Sequence, residues 1–475
     1  MHTDPDLPLV LDIDGTLLRT DLLMETFWAA MARDMPATLA VFASSFASSF
    51  ASPARLKRRL LEIAAPDIDL MPVREPILRM ARDALEDGRA VHLASGADRA
   101  QVEAVAKRFG LPGEYFGSDD PHNLTGAAKA RMLVARFGER GFDYAGNAPV
   151  DLPVWRHARA VVAVAPGRRL ARRLEELDRP VRIVRDEPDP GAVLREMRPG
   201  HWVKNLLLLL PLIAAHAVDP GALLRVLVAM AGFSFGASAL YVVNDLLDLD
   251  ADRRHPEKRR RPVASGALPI RDAMILCLGL AVLAPLLAWQ AGPVVALLTV
   301  VYMASSLAYS LRLKRLAWID LTMLAWMFLL RIGAGIAAAR VDVSAWLPAF
   351  VFAACLSLAA VKRITGLTRA HRPGHLPGRG YDVTHLPALK RVAILAAGGA
   401  VAFFLAYAFG PVAAPLYAAP GVFALAAIPL CMWFARVIRL SARGEEDYDI
   451  AAFVAHDGPG LALVAAGVAL ALLAV

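Results

Sequence analysis

Cysteine is scarce: the chain has three, Cys277, Cys355 and Cys431, far apart and each inside an apolar segment. That placement points to small buried hydrophobes and against a disulfide framework or a thiolate metal site. No secretory leader is expected either, because MHTDPDLPLV opens with acids and prolines and has no basic region ahead of an apolar core. The first domain is therefore expected to stay in the cytoplasm. Tandem repeats are absent, and basic clusters such as EKRRRP carry no interleaved aromatics, which argues against a nucleic-acid surface. Long apolar runs are missing too, but only from about the first 195 residues.

What is present divides the chain in two. Apolar residues make up 57% of it, and from His201 onward apolar segments long enough to cross a bilayer recur to the end. Nine spans are expected, centred near residues 210, 235, 280, 300, 328, 353, 400, 425 and 464. The connecting loops alternate in charge. Loops at 251–272, 311–316, 362–391 and 436–449 hold twenty Lys and Arg, whereas the intervening set holds only Arg340. By the positive-inside rule the basic loops and the N-terminal domain face the cytoplasm and the C-terminus lies outside. A bacterial inner membrane is the expected location.

The segment NDLLDLDADRRHPEKRRRP, Asn244 to Pro262, sits at the inner end of the second span. Asp245, Asp248 and Asp252 follow i, i+3, i+7 spacing, which puts three carboxylates on one helix face. Like charges so placed repel unless a cation lies between them. One reading is a Mg²⁺ ion shared with phosphate oxygens, with Asn244 adding an amide oxygen. The other is a solvated helix end whose acids pair with Arg253, Arg254 and Lys258. His255, Lys258 and Arg261 favour the first, since Mg²⁺-holding carboxylates beside phosphate-holding cations are what a departing diphosphate requires.

The pattern N-D-x-x-D-x-x-x-D at Asn244 to Asp252, followed by H-P-x-K-x-x-R-P-x-x-x-G at His255 to Gly266, resembles the first signature of the UbiA superfamily of intramembrane prenyltransferases. The resemblance implies a Mg²⁺-dependent transferase acting on a polyprenyl phosphate or diphosphate together with a second, small substrate. It assigns Asn244, Asp245, Asp248 and Asp252 to Mg²⁺ and diphosphate, and Lys258 and Arg261 to phosphate. RPGHWVKN resembles the entry to the first helix and places Lys204 at the cavity. YSLRLKRLAWID and RIGAG supply Tyr309, Ser310, Lys314, Asp320 and Arg331 at positions similar to the family's fourth and fifth helices. As an alternative, Lys204 and Lys314 are snorkelling interface residues.

Members that alkylate aromatic acceptors carry a second aspartate-rich motif after the sixth span. Here AAVKRITGLTRAHRPGHLPGRGY has no acid between Lys362 and Tyr381. That basic loop resembles the branch in which polyprenyl phosphate is the acceptor and phosphoribosyl diphosphate the donor, with Lys362, Arg363, Arg379 and Tyr381 as substrate-binding residues. The branch's glutamate after Lys-Arg has no counterpart, since Gly366 stands near that place. Prenylation of an aromatic acceptor remains the alternative within the family. Outside it stand an ion-coupled transporter or lipid scaffold, and an anchored phosphatase.

Ahead of the membrane half, VLDIDGTLLRTD ends an apolar run with Asp12 and Asp14. This resembles the first motif of haloacid dehalogenase phosphatases, in which Asp12 would attack phosphorus and Asp14 would act as acid and base. Ser95 after AVHLA, Lys129 in LTGAAKARM and Asp151 in FDYAGNAPVD resemble the later motifs, with Asp12, Asp14 and Asp151 at Mg²⁺. Asn147 replaces the fourth motif's first aspartate and removes a charge from the metal site. Alternating strands and helices predict a doubly wound α/β domain over 1–175, with a helical cap near 21–75. A linker is expected at 176–197, then the all-α polytopic domain over 198–475. Oligomeric state is not legible in the sequence.

Overall fold

The computed structural model describes residues 7–47, 52–186, 189–216, 219–342, 344–369, 376, 379–444 and 457–475. Two compact units divide the chain, one of Met1–Met197 with Tyr241–Cys277, the other of Arg198–Leu240 with Leu278–Val475. The acidic segment at 244–262 thus belongs to the unit that holds the N-terminal domain.

In the first unit six strands form one sheet: β1 (Leu9–Leu11), β2 (Val91–Asp98), β3 (Tyr115–Ser118), β4 (Asp143–Gly146), β5 (Val161–Val164) and β6 (Val181–Val184). Their order is β3-β2-β1-β4-β5-β6, and every pairing is parallel. A parallel sheet covered on both faces needs apolar residues at every position, which is why LVL and VVAV read as continuous runs. Alternation then divides them between two cores. Leu9 and Leu11 join Leu78, Val102 and Val105 on one face, while Val10 joins Leu133, Tyr144 and Trp155 on the other. The order reverses between β1 and β4, so their carboxyl ends open a crevice at the topological switch point.

The sheet runs past residue 175, where the sequence suggested a linker. VRIV pairs with β5 from Val161↔Val181 to Val164↔Val184 and makes the sixth strand. Helices Leu22–Arg33, Met35–Ala47 and Pro53–Ile63 lie between β1 and β2. Asp21 caps the first of them by accepting from the Met24 amide at 2.9 Å.

Within the same unit, Glu25 of that first helix meets Arg253 in a bidentate pair, Nη1 to Oε2 at 3.0 Å and Nη2 to Oε1 at 2.7 Å. The two side chains are 1% and 3% exposed. Trp28 packs with Val242, Leu246, Leu249 and Val263 in one apolar cluster beside them. Glu25→Ala strands a buried guanidinium and is expected to cost about 3–5 kcal/mol, read as a fall in unfolding temperature in detergent. A fall no larger than that of an exposed control such as Glu103→Ala contradicts the pair's structural role.

In the second unit, close helix packing rests on small side chains. Ala353, Ala397 and Ala400 of helices Trp346–Thr368 and Leu386–Ala408 share a cluster with Phe434. Over the whole chain seven helices are long and apolar enough to span a membrane, among the described residues. The other two expected spans fall short. Around residue 210 the chain forms a 3₁₀ stretch, Pro199–Leu209, and then only a five-residue helix, Leu210–Ala214, with Pro211 in its first turn. At the C-terminus Gly458–Leu473 has 16 residues. That gives about 24 Å of helix against roughly 30 Å of hydrocarbon.

Candidate functional site

At the crevice of the sheet, Asp12 follows β1 directly and the chain turns sharply through Gly15. Gly15 has φ +70°, and a Cβ there would lie 2.1 Å from Asn147 Nδ2, so only glycine fits. Lys129, on helix Ala127–Phe137, reaches Asp12 Oδ1 and the Tyr144 hydroxyl, both at 2.8 Å, with Asp151 Oδ1 at 3.6 Å. Tyr144 donates to Asp151 Oδ1 at 2.9 Å, and the amides of Asn147 and Ala148 donate to Oδ2 at 3.2 and 3.1 Å. Ser95 Oγ donates to Asp14 Oδ2 at 2.9 Å, and the Leu22 amide to Oδ1 at 2.7 Å. The structure therefore brings Asp12, Asp14, Ser95, Lys129, Asn147 and Asp151 to one cleft.

The electrostatics separate the two leading aspartates. Burial pushes the Asp12 carboxyl up to about 6, against the pull of Lys129. Removal from bulk water, with Asp21 and Asp12 close by, pushes Asp14 up to about 8. A carboxylate paired with a buried ammonium beside a carboxyl that keeps its proton near neutrality is an arrangement suited to a nucleophile and a general acid. For Lys129 burial opposes the charge, but Asp12 and Asp151 outweigh it and leave the pKa raised.

Helix Pro220–Leu247 ends just before Asp248, and a second helix, Leu249–Arg254, follows. Helical hydrogen bonds still bridge the break, with the Asp248 amide on Asn244 O at 2.9 Å and the Asp252 amide on Asp248 O at 2.8 Å. Asp245 and Asp252 consequently share a face. Both meet Arg261 Nη1, Asp245 Oδ1 at 3.0 Å, and Lys258 Nζ stands 3.8 Å from Asp252 Oδ1. Asp248 is exposed and does not share Arg261, while Asn244 is half-buried.

In the second unit, Asp320 is fully buried and collects three donors. Tyr309 donates to Oδ1 at 2.8 Å, Arg363 to Oδ2 at 2.5 Å and to Oδ1 at 3.0 Å, and Arg379 to Oδ1 at 2.5 Å. Tyr381, fully buried, accepts from the Trp318 amide at 2.8 Å. One carboxylate thus serves two guanidiniums, which leaves the cluster net positive and suited to an anion. Lys204, Lys314 and Lys362 are half-buried. The middle of the basic loop, 370–375 and 377–378, lies outside the described residues.

Pattern reading passed over two residues here, Asn205 and Tyr302. Arg331 Nε donates to Asn205 Oδ1 at 2.8 Å and Nη2 to the Tyr302 hydroxyl at 3.0 Å, while Asn205 Nδ2 donates to Ser234 Oγ at 2.9 Å. A lone arginine in an apolar helix is itself the clue that polar partners must surround it.

Among the described residues no three His, Cys, Asp or Glu side chains converge closely enough to hold a metal ion by themselves. Each acidic site offers a smaller donor set. Asp245 and Asp252 converge on one cation, and Asp12 Oδ2 and Asn147 Oδ1 both lie 3.4 Å from Thr16 Oγ1. Two such oxygens, completed by waters and substrate phosphate, match the way Mg²⁺ is held in phosphate chemistry.

Carboxylates facing cations at the end of one of the seven membrane-length helices among the described residues suit a membrane-bound enzyme, and likeness to known proteins makes it a transferase. The chain belongs to the UbiA prenyltransferase family, whose model matches residues 206–473. Over 460 residues it is 32% identical to the uncharacterized protein y4nM of Sinorhizobium fredii, covering 96% of this chain and 88% of that one. It is 32% identical over 275 residues to the nodulation protein NoeC of Azorhizobium caulinodans, covering 56% of this chain and 88% of that protein. The decaprenyl-phosphate phosphoribosyltransferase of Mycobacterium tuberculosis is 36% identical over 189 residues, 39% of this chain and 63% of its own. Among solved structures, a UbiA homolog from Archaeoglobus fulgidus bound to DMAPP and Mg²⁺ aligns with TM-score 0.45 and 16% identity over 59% of this chain and 98% of that one. Phosphoserine phosphatase in apo form aligns with TM-score 0.28 and 17% identity over 40% of this chain and 98% of that one.

Proposed function

We propose that this integral membrane protein transfers phosphoribose from phosphoribosyl diphosphate to a polyprenyl phosphate, and that its N-terminal domain then removes the 5-phosphate. The observation that carries the first step is the Tyr309–Asp320–Arg363–Arg379 cluster, where two arginines share one carboxylate. A second acid cluster would serve a second metal. A net positive cluster serves a second phosphorylated substrate.

In the transfer, a phosphate oxygen of the polyprenyl phosphate attacks C1 of the ribose. The bond from C1 to the diphosphate oxygen breaks, and its electron pair leaves with the diphosphate. Lys258 and Arg261 hold the departing diphosphate, and Asp245 and Asp252 are the residues that would hold its Mg²⁺. Bound Mg²⁺ would neutralise charge that grows on the diphosphate.

In the second step Asp12 attacks phosphorus of the 5-phosphate, the ester bond breaks, and Asp14 gives its proton to the sugar oxygen. Asp14 then takes a proton from the water that hydrolyses the aspartyl phosphate, which frees Asp12 and releases inorganic phosphate. Lys129 neutralises Asp12, and Ser95 orients Asp14. Both steps fall on the cytoplasmic side of a bacterial inner membrane, where the basic loops lie.

The test uses purified protein in detergent with Mg²⁺. One mixture holds labelled phosphoribosyl diphosphate and polyprenyl phosphate, the other polyprenyl diphosphate and labelled 4-hydroxybenzoate. Lipid-linked label is expected only in the first. Label only in the second makes the protein an aromatic prenyltransferase.

A further inference from the structure

The cleft of Asp12 and Asp14 has a volume of about 1090 Å³, which reaches the size of sites for whole small-molecule ligands, roughly 300–1,000 Å³. Arg19, Arg74, Arg185 and Arg271 also line it, as does Asp186, which pairs with Arg19 and Arg74. The reaction described above uses none of these five. Asp21, Asp189 and Lys57 line the same cleft, so the case for an anion rests on Arg19 and Arg74 and on their pairing with Asp186.

Arg74 is the most telling of them. It is 7% exposed, its Nη2 donates to Gly15 O at 3.2 Å, and its buried Nε has no hydrogen-bond partner. A buried guanidinium nitrogen without an acceptor is costly, and an anion in the cleft is the natural remedy. Arg74 also forms an ion pair with Asp186, whose Oδ1 lies 3.0 Å from Arg19 Nη2. A single half-buried carboxylate therefore bridges two arginines at the edge of a phosphate site.

Their position is fixed by the backbone. The Arg74 amide donates to Leu17 O and the Arg19 amide to Pro72 O, each at 2.9 Å, so both side chains project from strands of chain tied to the loop that carries Asp12 and Asp14. Gly266 packs against Arg19, where an added Cβ would come within 2.9 Å of Arg19 Cβ, and that contact brings Arg271 to the same cleft.

We propose that Arg19 and Arg74 form a second anion subsite, with Asp186 holding the place that a ligand's second phosphate takes. Its ligands are sugar phosphates with two phosphoryl groups, one set against Asp12 and the other, a phosphodiester or a free phosphate, against Arg19 and Arg74. The proposal rests on the phosphatase reading of Asp12 but concerns binding, and binding can be measured without turnover.

Full-length Asp12→Asn protein in detergent with Mg²⁺ is titrated calorimetrically with ribose 5-phosphate, ribose 1,5-bisphosphate and a short-chain alkyl 5-phosphoribosyl phosphodiester. At least one doubly phosphorylated ligand is expected to bind about tenfold or more tightly than the monophosphate. In the Asp12→Asn/Arg19→Gln protein that ratio is expected to fall to about one, and in Asp12→Asn/Asp186→Asn to rise, because the competing carboxylate is gone. A gain with the diester alone identifies a lipid-linked ligand, and a gain with both identifies shared phosphate chemistry. Equal affinities for all three ligands, or a gain that survives Arg19→Gln, overturn the subsite. Failure of the unmutated protein to release phosphate from any ligand overturns the phosphatase reading instead and leaves the binding result standing.

Discussion

Asp12→Asn is expected to lower phosphate release from p-nitrophenyl phosphate by about 10⁴-fold or more, because an amide cannot form the aspartyl phosphate. The substitution preserves shape and can still face Lys129 Nζ, which lies 2.8 Å from Asp12 Oδ1, so the fold should survive. Asp12 stands at the carboxyl end of β1, at the switch point of a parallel sheet, where bound groups meet the first turn after the strand. Asn147 is not expected to remove this chemistry, since an amide oxygen in place of a carboxylate would weaken metal binding without touching the nucleophile. A rate within tenfold of the unmutated protein means that phosphorus is attacked by some other group. Ser95→Ala, which loses the hydrogen bond to Asp14 and the one accepted from the Ala97 amide, is the milder companion and should retain part of the rate.

Asp252→Asn is expected to lower transfer of labelled phosphoribose to polyprenyl phosphate by a factor on the order of 10²–10³, the scale of losing one charge-stabilising group in a closed site. Asp252 is 1% exposed and shares Arg261 with Asp245 across two turns of helix. The amide keeps a hydrogen bond to the guanidinium but removes the charge with which the pair would hold Mg²⁺. Unchanged elution from a sizing column separates this effect from unfolding. A loss of less than threefold means the acidic pair is a salt-bridged helix end, the alternative that charge spacing by itself leaves open.

The two halves of the chain were legible to different depths. Short-range patterns carried Asp12, Asp14, Ser95 and Lys129 to one cleft, because Asp12 and Asp14 follow β1, Ser95 lies in the later half of β2, Lys129 stands near the start of a helix, and the sheet gathers those ends. Tyr309, Asp320 and Arg363 stand on apolar helices and Arg379 in the loop after the helix of Arg363, and the four meet at Asp320. Pairs far apart in sequence were invisible. Glu25 and Arg253 are 228 positions apart, and Asn205 and Arg331 are 126 apart, so nothing local announces either contact.

At two of the nine expected spans the described helices are short for a physical reason. Apolar composition at 206–214 meets Pro211 and a 3₁₀ run, and the last helix stops at Leu473 after 16 residues. The break at Asp248 had a similar origin. A strict helical wheel puts Asp245, Asp248 and Asp252 on one stripe, but Asp248 leaves the helical region with ψ 14°, and only the outer two aspartates converge. In the N-terminal half, VRIV sits between charged segments, and its role as β6 depends on pairing with β5 rather than on its own composition.

The most direct measurement is the mass of the lipid product formed from phosphoribosyl diphosphate and polyprenyl phosphate by the unmutated protein and by Asp12→Asn. The account predicts a ribosyl phospholipid from the former and the same lipid heavier by one phosphate group from the latter. Identical products from the two proteins contradict the coupling of the steps, and the absence of any ribose-bearing lipid from both contradicts the transfer itself.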